Sequence, residues 1–313
     1  MELLVNIGLL VIGFVMLVKG ADWFVEGAAS IADKFGIPQI VIGLTIVAMG
    51  TSAPEAAVSI SAALKGSAEI TIGNIVGSNI LNILIILGLT SVICAISVQR
   101  TTIHYEIPMV IGVTILLAVM GLQNNIVSRL EGIILMGCMV VYMMYLLRLA
   151  KRGTAENEEL EEYAASAPMG RLIFLVIAGI VAIVWGSDIA VDAATAIARI
   201  FGMSERFIGL TIVALGTSLP ELVTSVTAAR KGNSDIAVGN IVGSNLFNIM
   251  FVVGITAIIT PVVYDPAFLV DSIAAVGAAV LLLLCVCRKA VLNRLHGIIM
   301  LLCYGGYFAY LML

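Results

Sequence analysis

Apolar residues run along this chain in blocks too long for a soluble fold. Leu3–Leu17, Ile107–Met120, Ile133–Leu147 and Ile273–Val286 are broken by very few polar side chains. Each approaches or reaches the ~20 residues with which an α-helix crosses hydrocarbon. Strands of a transmembrane barrel alternate polar and apolar residues over about ten positions, and these blocks do not. The blocks and their polar interruptions predict spans at 3–30, 38–63, 70–95, 106–122, 129–150, 170–197, 204–228, 236–259, 267–287 and 290–312. The expected class is all-α, a polytopic membrane protein of ten transmembrane helices. The one sizeable polar stretch, "AKRGTAENEELEEYAASAPMGR" at 150–171, leaves five spans on either side. Residues 1–150 then form a first transmembrane unit, 151–170 a solvated linker whose acidic run is an ordinary charged loop, and 171–313 a second unit.

The two units are copies. Adding 166 carries Gly20 to Gly186, Asp22 to Asp188, Gly36 to Gly202 and Glu55 to Glu221 without a gap, and 30 of the 55 positions in 36–90 match 202–256. A repeat with an odd number of spans enters the membrane in the opposite sense from its copy, which predicts the inverted-repeat architecture of secondary transporters. With the N-terminus outside, twelve of the 16 Lys and Arg residues, Arg100, Arg230 and Lys231 among them, fall on the inner face. Only Lys65, Arg129, Arg199 and Arg206 fall outside. That bias favours both termini outside and a cytoplasmic linker. The first run carries Glu2 and no basic flank, so it reads as a retained span and not a cleaved leader.

Composition sharpens the class. Apolar residues make up 61% of the 313 and charged residues 12%, with a mean hydropathy of +1.14. No single soluble core could hide that much apolar surface. A net charge of −4 gives no footprint for nucleic acid. Cys94, Cys138, Cys285, Cys287 and Cys303 lie in or beside apolar spans without a CxxC, so they are expected to be buried and unpaired.

The chemistry lies in a motif that appears twice, "GTSAPE" at 50–55 and "GTSLPE" at 216–221. An acid in hydrocarbon marks an ion pathway by default. Pro54 has no N–H to offer the carbonyl of Gly50, so the second span should break near mid-membrane and free carbonyls from Ala48 to Thr51. Thr51 and Ser52, four and three residues before Glu55, can bring oxygens toward it. Ala214, Thr217, Ser218 and Glu221 repeat the arrangement. The following span adds "GNIVGSNILNI" (73–83), in which Asn74, Ser78 and Asn82 share one helical stripe and Gly73 and Gly77 allow close helix approach. Its copy, "GNIVGSNLFNI" (239–249), supplies Asn240, Ser244 and Asn248. Asn74, Asn79, Asn240 and Asn245 could instead serve only to join helices.

Carboxylate, hydroxyl, amide and carbonyl oxygens suit a hard cation. Ca²⁺ takes roughly 6–8 such ligands, and two carboxylates match its charge, with Na⁺ a competitor of similar size. Histidine and cysteine are missing from these segments, which argues against zinc, copper or iron. His104 and His296 sit near span ends outside any HExxH or Ser/His arrangement, so an intramembrane enzyme is disfavoured.

The paired motifs "GTSAPE…GNIVGSNILN" and "GTSLPE…GNIVGSNLFN" resemble the two alpha-repeats of the calcium/cation antiporter superfamily, most closely its prokaryotic sodium/calcium exchangers. The resemblance spans essentially the whole chain. It implies electrogenic exchange, usually of three Na⁺ for one Ca²⁺, at four cation sites between the repeats. By motif position, Glu55 and Glu221 would bridge the calcium and central sites with Thr51 and Thr217. Ala214, Thr217, Ser218 and Ser244 would line the outer sodium site, and Ala48, Thr51, Ser52 and Ser78 the inner one. Asn82 and Asn248 would flank the middle. The first spans of the two repeats, with Trp23 and Gly27, would be long tilted helices sliding over this core. Some relatives, archaeal exchangers and the potassium-dependent branch among them, carry aspartate at the position of Asn248, whereas this chain has Asn at both 82 and 248, as potassium-independent exchangers of animals do. The expected function is Na⁺-driven Ca²⁺ antiport in the plasma membrane, the alternative being a Ca²⁺/H⁺ or other cation/proton antiporter. Ca²⁺ and Na⁺ enter as substrates. No cofactor, no nucleic acid and no obligate protein partner is expected beyond the lipid bilayer.

Overall fold

A computed structural model describes residues 2–65, 68, 70–157, 168–202 and 214–311. The apolar blocks become helices α1 (Glu2–Lys34), α2 (Gln39–Thr51), α3 (Ala53–Leu64), α4 (Thr71–Ile93), α5 (Thr102–Asn124) and α6 (Arg129–Asn157). They are followed by α7 (Met169–Ile200), α8 (Ala214–Thr217), α9 (Leu219–Arg230), α10 (Ser234–Ile259), α11 (Phe268–Val286) and α12 (Arg294–Leu311). Seven of these are long and apolar enough to cross a membrane, and eight if the bent pair α2–α3 counts as one span. The first part of the span expected at 204–228 lies outside the described residues, as does most of the expected linker. What is described there departs from a loop: α6 continues to Asn157, seven residues beyond the expected end of its span.

Burial sorts the helices into a centre and a periphery. α4 and α10 are mostly buried, whereas α1, α6 and α7 are largely exposed. The exposed surface is apolar, with Phe14, Trp23, Leu147, Phe174, Trp185 and Leu302 all facing outward. Such a surface is stable only against lipid. At 1.5 Å per residue, the 33 residues of α1 and the 32 of α7 reach about 50 Å, well beyond a hydrocarbon layer of about 30 Å. Both must therefore tilt or project.

Glycines set how closely the helices approach. α1 and α7 run antiparallel along a shared seam in which Gly13 lies against Gly186, Gly20 against Gly179 and Gly27 against Leu172. A Cβ at Gly20 would sit 2.9 Å from the carbonyl oxygen of Gly179, so backbone meets backbone. The second repeat's GxxxG pair does the same against α2: a Cβ at Gly243 would lie 2.8 Å from Leu44 Cα, and one at Gly239 would lie 3.0 Å from Gly43 Cα. In the first repeat the expected close approach is not made: a Cβ at Gly73 would meet only the Phe268 ring at 3.4 Å, and one at Gly77 would have nothing within 4 Å.

Two very short antiparallel ribbons, which the span pattern does not reveal, tie the halves together. β1 (Ile96–Ser97) pairs with β4 (Val291–Leu292), and β2 (Ile126–Val127) with β3 (Val262–Val263). The strands exchange across the repeat, Ile96 and Val262 being 166 positions apart, as are Ile126 and Leu292. Ion pairs add to the tie: Lys231 Nζ lies 3.2 Å from Asp22 Oδ1, and Arg171 lies 3.9 Å from Glu26. The five cysteines are unpaired as expected, but none is fully buried: Cys94, Cys138 and Cys285 are half-buried, and Cys287 and Cys303 are exposed. Cys303 lies on α12, and Cys287 lies just past the end of α11.

Candidate functional site

The twin motif is where regular helix fails. Ser52, between α2 and α3, has left helical geometry (φ −83°, ψ 9°), and the two helices meet at a bend of 48°. Pro54 lies in the first turn of α3, where its missing N–H costs little. Ser218, just before α9, and Pro220, in its first turn, repeat this. The freed carbonyls are fewer than the sequence suggests. That of Ala48 accepts from the Ser52 N–H at 3.0 Å and from the hydroxyls of Thr51 and Ser244 at 3.3 and 3.4 Å. That of Gly216 accepts from Ser187 Oγ at 2.8 Å. Nearby hydroxyls thus take up part of what the prolines release. Three further π-helical turns, at Gly43–Val47, Asn82–Leu87 and Asn248–Val253, loosen the backbone around the same region. Such turns recur at functional sites.

The break sends both acids inward. Glu55 and Glu221 are each only 1% exposed, and no cation pairs with either among the described residues. Ser52 Oγ donates to Glu221 Oε1 at 2.8 Å, and Thr51 Oγ1 donates to Asn240 Oδ1 at 2.9 Å, so the first motif reaches the second repeat directly. Asn74 Nδ2 donates to Ser59 Oγ at 3.0 Å and to the Glu55 carbonyl at 3.4 Å. Its copy Asn240 donates to Ser225 Oγ at 2.9 Å and to the Glu221 carbonyl at 3.3 Å. These bonds hold each acid-bearing helix against the span that follows it. Ser59 and Ser225 were not among the expected site residues, although their sequence signal was available: a serine four residues after the acid in both copies.

The other oxygens are left open. Glu55 Oε2, Glu221 Oε2, Asn82 Oδ1, Asn248 Oδ1 and Ser218 Oγ are buried without a protein hydrogen-bond partner. Buried acceptors without partners are rare and call for an explanation. Four of the five fall into two repeat-related pairs. The Asn82 turn packs against α9, which carries Glu221, and the Asn248 turn packs against α3, which carries Glu55. Ala48, Thr51, Ser52, Ser78, Ser218 and Ser244 are also buried, and Thr217 is half-buried. The side chain of Ala214 lies outside the described residues. A cavity of about 330 Å³ lined by Pro54, Ser187, Asp188, Asp192, Gly216 and Thr217 reaches the edge of this group. Among the described residues, no cluster of three or more His, Cys, Asp or Glu side chains could hold a metal. The described groups that could face an ion at this centre are the two glutamates and the neutral oxygens around them.

Apolar exterior and buried acidic centre together define a helical, multi-pass membrane protein of the kind that passes cations through its core. Residues 5–148 and 171–313 match the family model described as "Sodium/calcium exchanger protein", and the chain belongs to that family of cation antiporters. It is 36% identical over 317 residues to inner membrane protein YrbG of Escherichia coli (strain K12), covering 99% of this chain and 96% of YrbG. It is 30% identical to sodium/calcium exchanger MaX1 of Methanosarcina acetivorans, covering 97% of each. The sodium-calcium exchanger NCX_Mj, soaked with 10 mM Na⁺ and no Ca²⁺, superposes with a TM-score of 0.85 at 31% identity over 98% of this chain and 99% of that one.

Proposed function

We propose that this protein exchanges Na⁺ for Ca²⁺ across the cell membrane by alternating access at the centre between its two halves. The observation that carries the reading is the pair of buried glutamates, one from each half, each with an unpartnered Oε2 and each on a helix packed against the turn of an asparagine whose oxygen is also unpartnered. Two carboxylates can neutralise one Ca²⁺, and three Na⁺ would leave one positive charge, which makes the exchange sensitive to voltage. Glu55, Glu221, Thr51 and Thr217 are assigned to the calcium and central sites, and Asn82 and Asn248 to their flanks. Ala214, Thr217, Ser218 and Ser244 are assigned to an outer sodium site, and Ala48, Thr51, Ser52 and Ser78 to an inner one. Sodium is favoured over protons as the driving ion because MaX1 and NCX_Mj are both named for sodium/calcium exchange.

The proposed topology is ten spans in two inverted repeats, 1–150 and 171–313, joined by a cytoplasmic linker at 151–170, with both termini outside. Antiparallel packing of the repeat mates α1 and α7 and the crossed ribbons support it. The protein acts as a transporter and not an enzyme, needing no cofactor or obligate protein partner. Purified protein in liposomes tests the coupling. An imposed Na⁺ gradient should drive Ca²⁺ uptake at clamped voltage, whereas uptake driven only by a pH gradient would assign the exchange to protons.

A further inference from the structure

At the crossing of α4 and α10, Asn79 and Asn245 face each other across the two halves. Asn79 Nδ2 donates to the backbone carbonyl of Asn245 at 3.2 Å, and Asn245 Nδ2 donates to the backbone carbonyl of Asn79 at 3.2 Å. A backbone carbonyl only accepts, so each of these amides must present its nitrogen there. The Oδ1 of each is then turned to a second neighbour, which must be a donor. Those donors are the candidate ion ligands of the opposite repeat: Asn248 Nδ2 donates to Asn79 Oδ1 at 3.1 Å, and Asn82 Nδ2 donates to Asn245 Oδ1 at 2.9 Å. With its nitrogen held on that side, each ligand asparagine turns its oxygen to the other, and Asn82 Oδ1 and Asn248 Oδ1 are the buried, unpartnered acceptors noted above. Flipping either amide would set oxygen against oxygen on one side and offer N–H to a cation on the other.

The geometry points to Asn79 and Asn245 as positioning residues that lock the amides of Asn248 and Asn82, each in the other repeat, with the carbonyl oxygen available to the transported ion. All four asparagines are at most 3% exposed, so these bonds are made away from bulk solvent. The crossing therefore does two things. It orients one neutral ligand per repeat, and it makes each repeat responsible for the other's ligand. This inference rests on the proposed role of Asn82 and Asn248 at the cation site, and goes beyond it by assigning which residue controls which amide.

Crossed double-variant cycles test the assignment. Half-saturation for Ca²⁺ is measured in liposomes containing wild type, Asn79→Leu, Asn245→Leu, Asn82→Ala, Asn248→Ala and their pairs, with maximal rate read separately. Losing one ordinary hydrogen bond's worth of orientation should raise half-saturation about fivefold in each leucine variant. Asn245→Leu should add less than twofold in the Asn82→Ala background, yet multiply in full with Asn248→Ala, and Asn79→Leu should behave the opposite way. Multiplication in both backgrounds, or coupling to the wrong partner, would overturn the positioning role, because a merely structural asparagine has no reason to discriminate. If a leucine variant fails to fold, Asn79→Ser and Asn245→Ser run the same cycle with a small polar residue at the crossing. If Asn82→Ala and Asn248→Ala leave half-saturation unchanged, the site reading itself fails, and the inference with it.

Discussion

Glu221→Gln removes a charge while keeping the shape of the side chain, and it should separate the two ions by valence. In the wild-type protein, Oε1 accepts from Ser52 and Oε2 is unpartnered. The glutamine can keep the Ser52 bond through its own Oε1, which leaves an N–H₂ where Oε2 stood. Unit charges 4 Å apart interact by about 4 kcal/mol at an effective dielectric of 20, so the lost charge is worth about 8 kcal/mol to Ca²⁺ and about 4 to Na⁺. Some of that returns, because the empty site no longer holds two neighbouring buried carboxylates. If half returns, Ca²⁺ binding weakens by about 4 kcal/mol, roughly a thousandfold, and Na⁺ by about 2, roughly thirtyfold. Glu55→Gln should behave alike. Radiolabelled Ca²⁺ uptake and cation-dependent thermal stability of the purified protein read the two losses separately. A ligand at a hundred times its dissociation constant stabilises by about 2.7 kcal/mol, so loss of the Ca²⁺-induced shift should be plain. Without cations, each variant should melt no lower than wild type, since an isolated buried charge has been removed. Near-normal Ca²⁺ affinity in both variants, or equal losses for Na⁺ and Ca²⁺, would refute the reasoning.

Exchange should survive replacement of K⁺ by choline on both sides, because Asn248 brings no third negative charge to offset a co-transported K⁺; a collapse of uptake would show the centre misread. The same vesicles should exchange faster or slower as a potential is imposed, and indifference to voltage would contradict the charge count. Deleting 153–165 with a flexible replacement should leave transport intact, since that stretch holds no partner for an ion in the membrane, and a well-expressed but inactive deletion would argue for regulation. Gly243→Val should destabilise by about 1–3 kcal/mol as its Cβ meets Leu44 backbone, measured as a lower melting temperature in detergent, whereas Gly137→Val, with nothing within 4 Å of a Cβ, should be near neutral.

Much of this centre was legible because the sequence states it twice. A buried acid, a proline one step before it and a polar stripe in the next span each recur at the same offset, so neither copy could be dismissed as accidental. The glycine pair 239/243 was readable for the same reason, and it does bring α2 against α10. What was hidden is what side chains do to one another across the repeats. Spacing along one helix cannot reveal that the Ala48 carbonyl is already engaged by Ser52 and Ser244, or that Ser187 takes up the Gly216 carbonyl. Nor does it show that Asn79 faces Asn248, from the other half of the chain. The two-residue ribbons are shorter than any periodicity can register, and the extension of α6 to Asn157 runs into a charged stretch that reads locally as loop.

The central claim is that one divalent ion sits between carboxylates contributed by the two halves. Anomalous diffraction from crystals soaked in Ca²⁺ or Sr²⁺ tests it most directly. The account predicts one strong peak at bonding distance, about 2.3–2.6 Å for Ca²⁺, from oxygens of both Glu55 and Glu221, and its loss as Na⁺ is raised. A peak held by one glutamate alone, a peak elsewhere in the protein, or one that Na⁺ leaves untouched would contradict it.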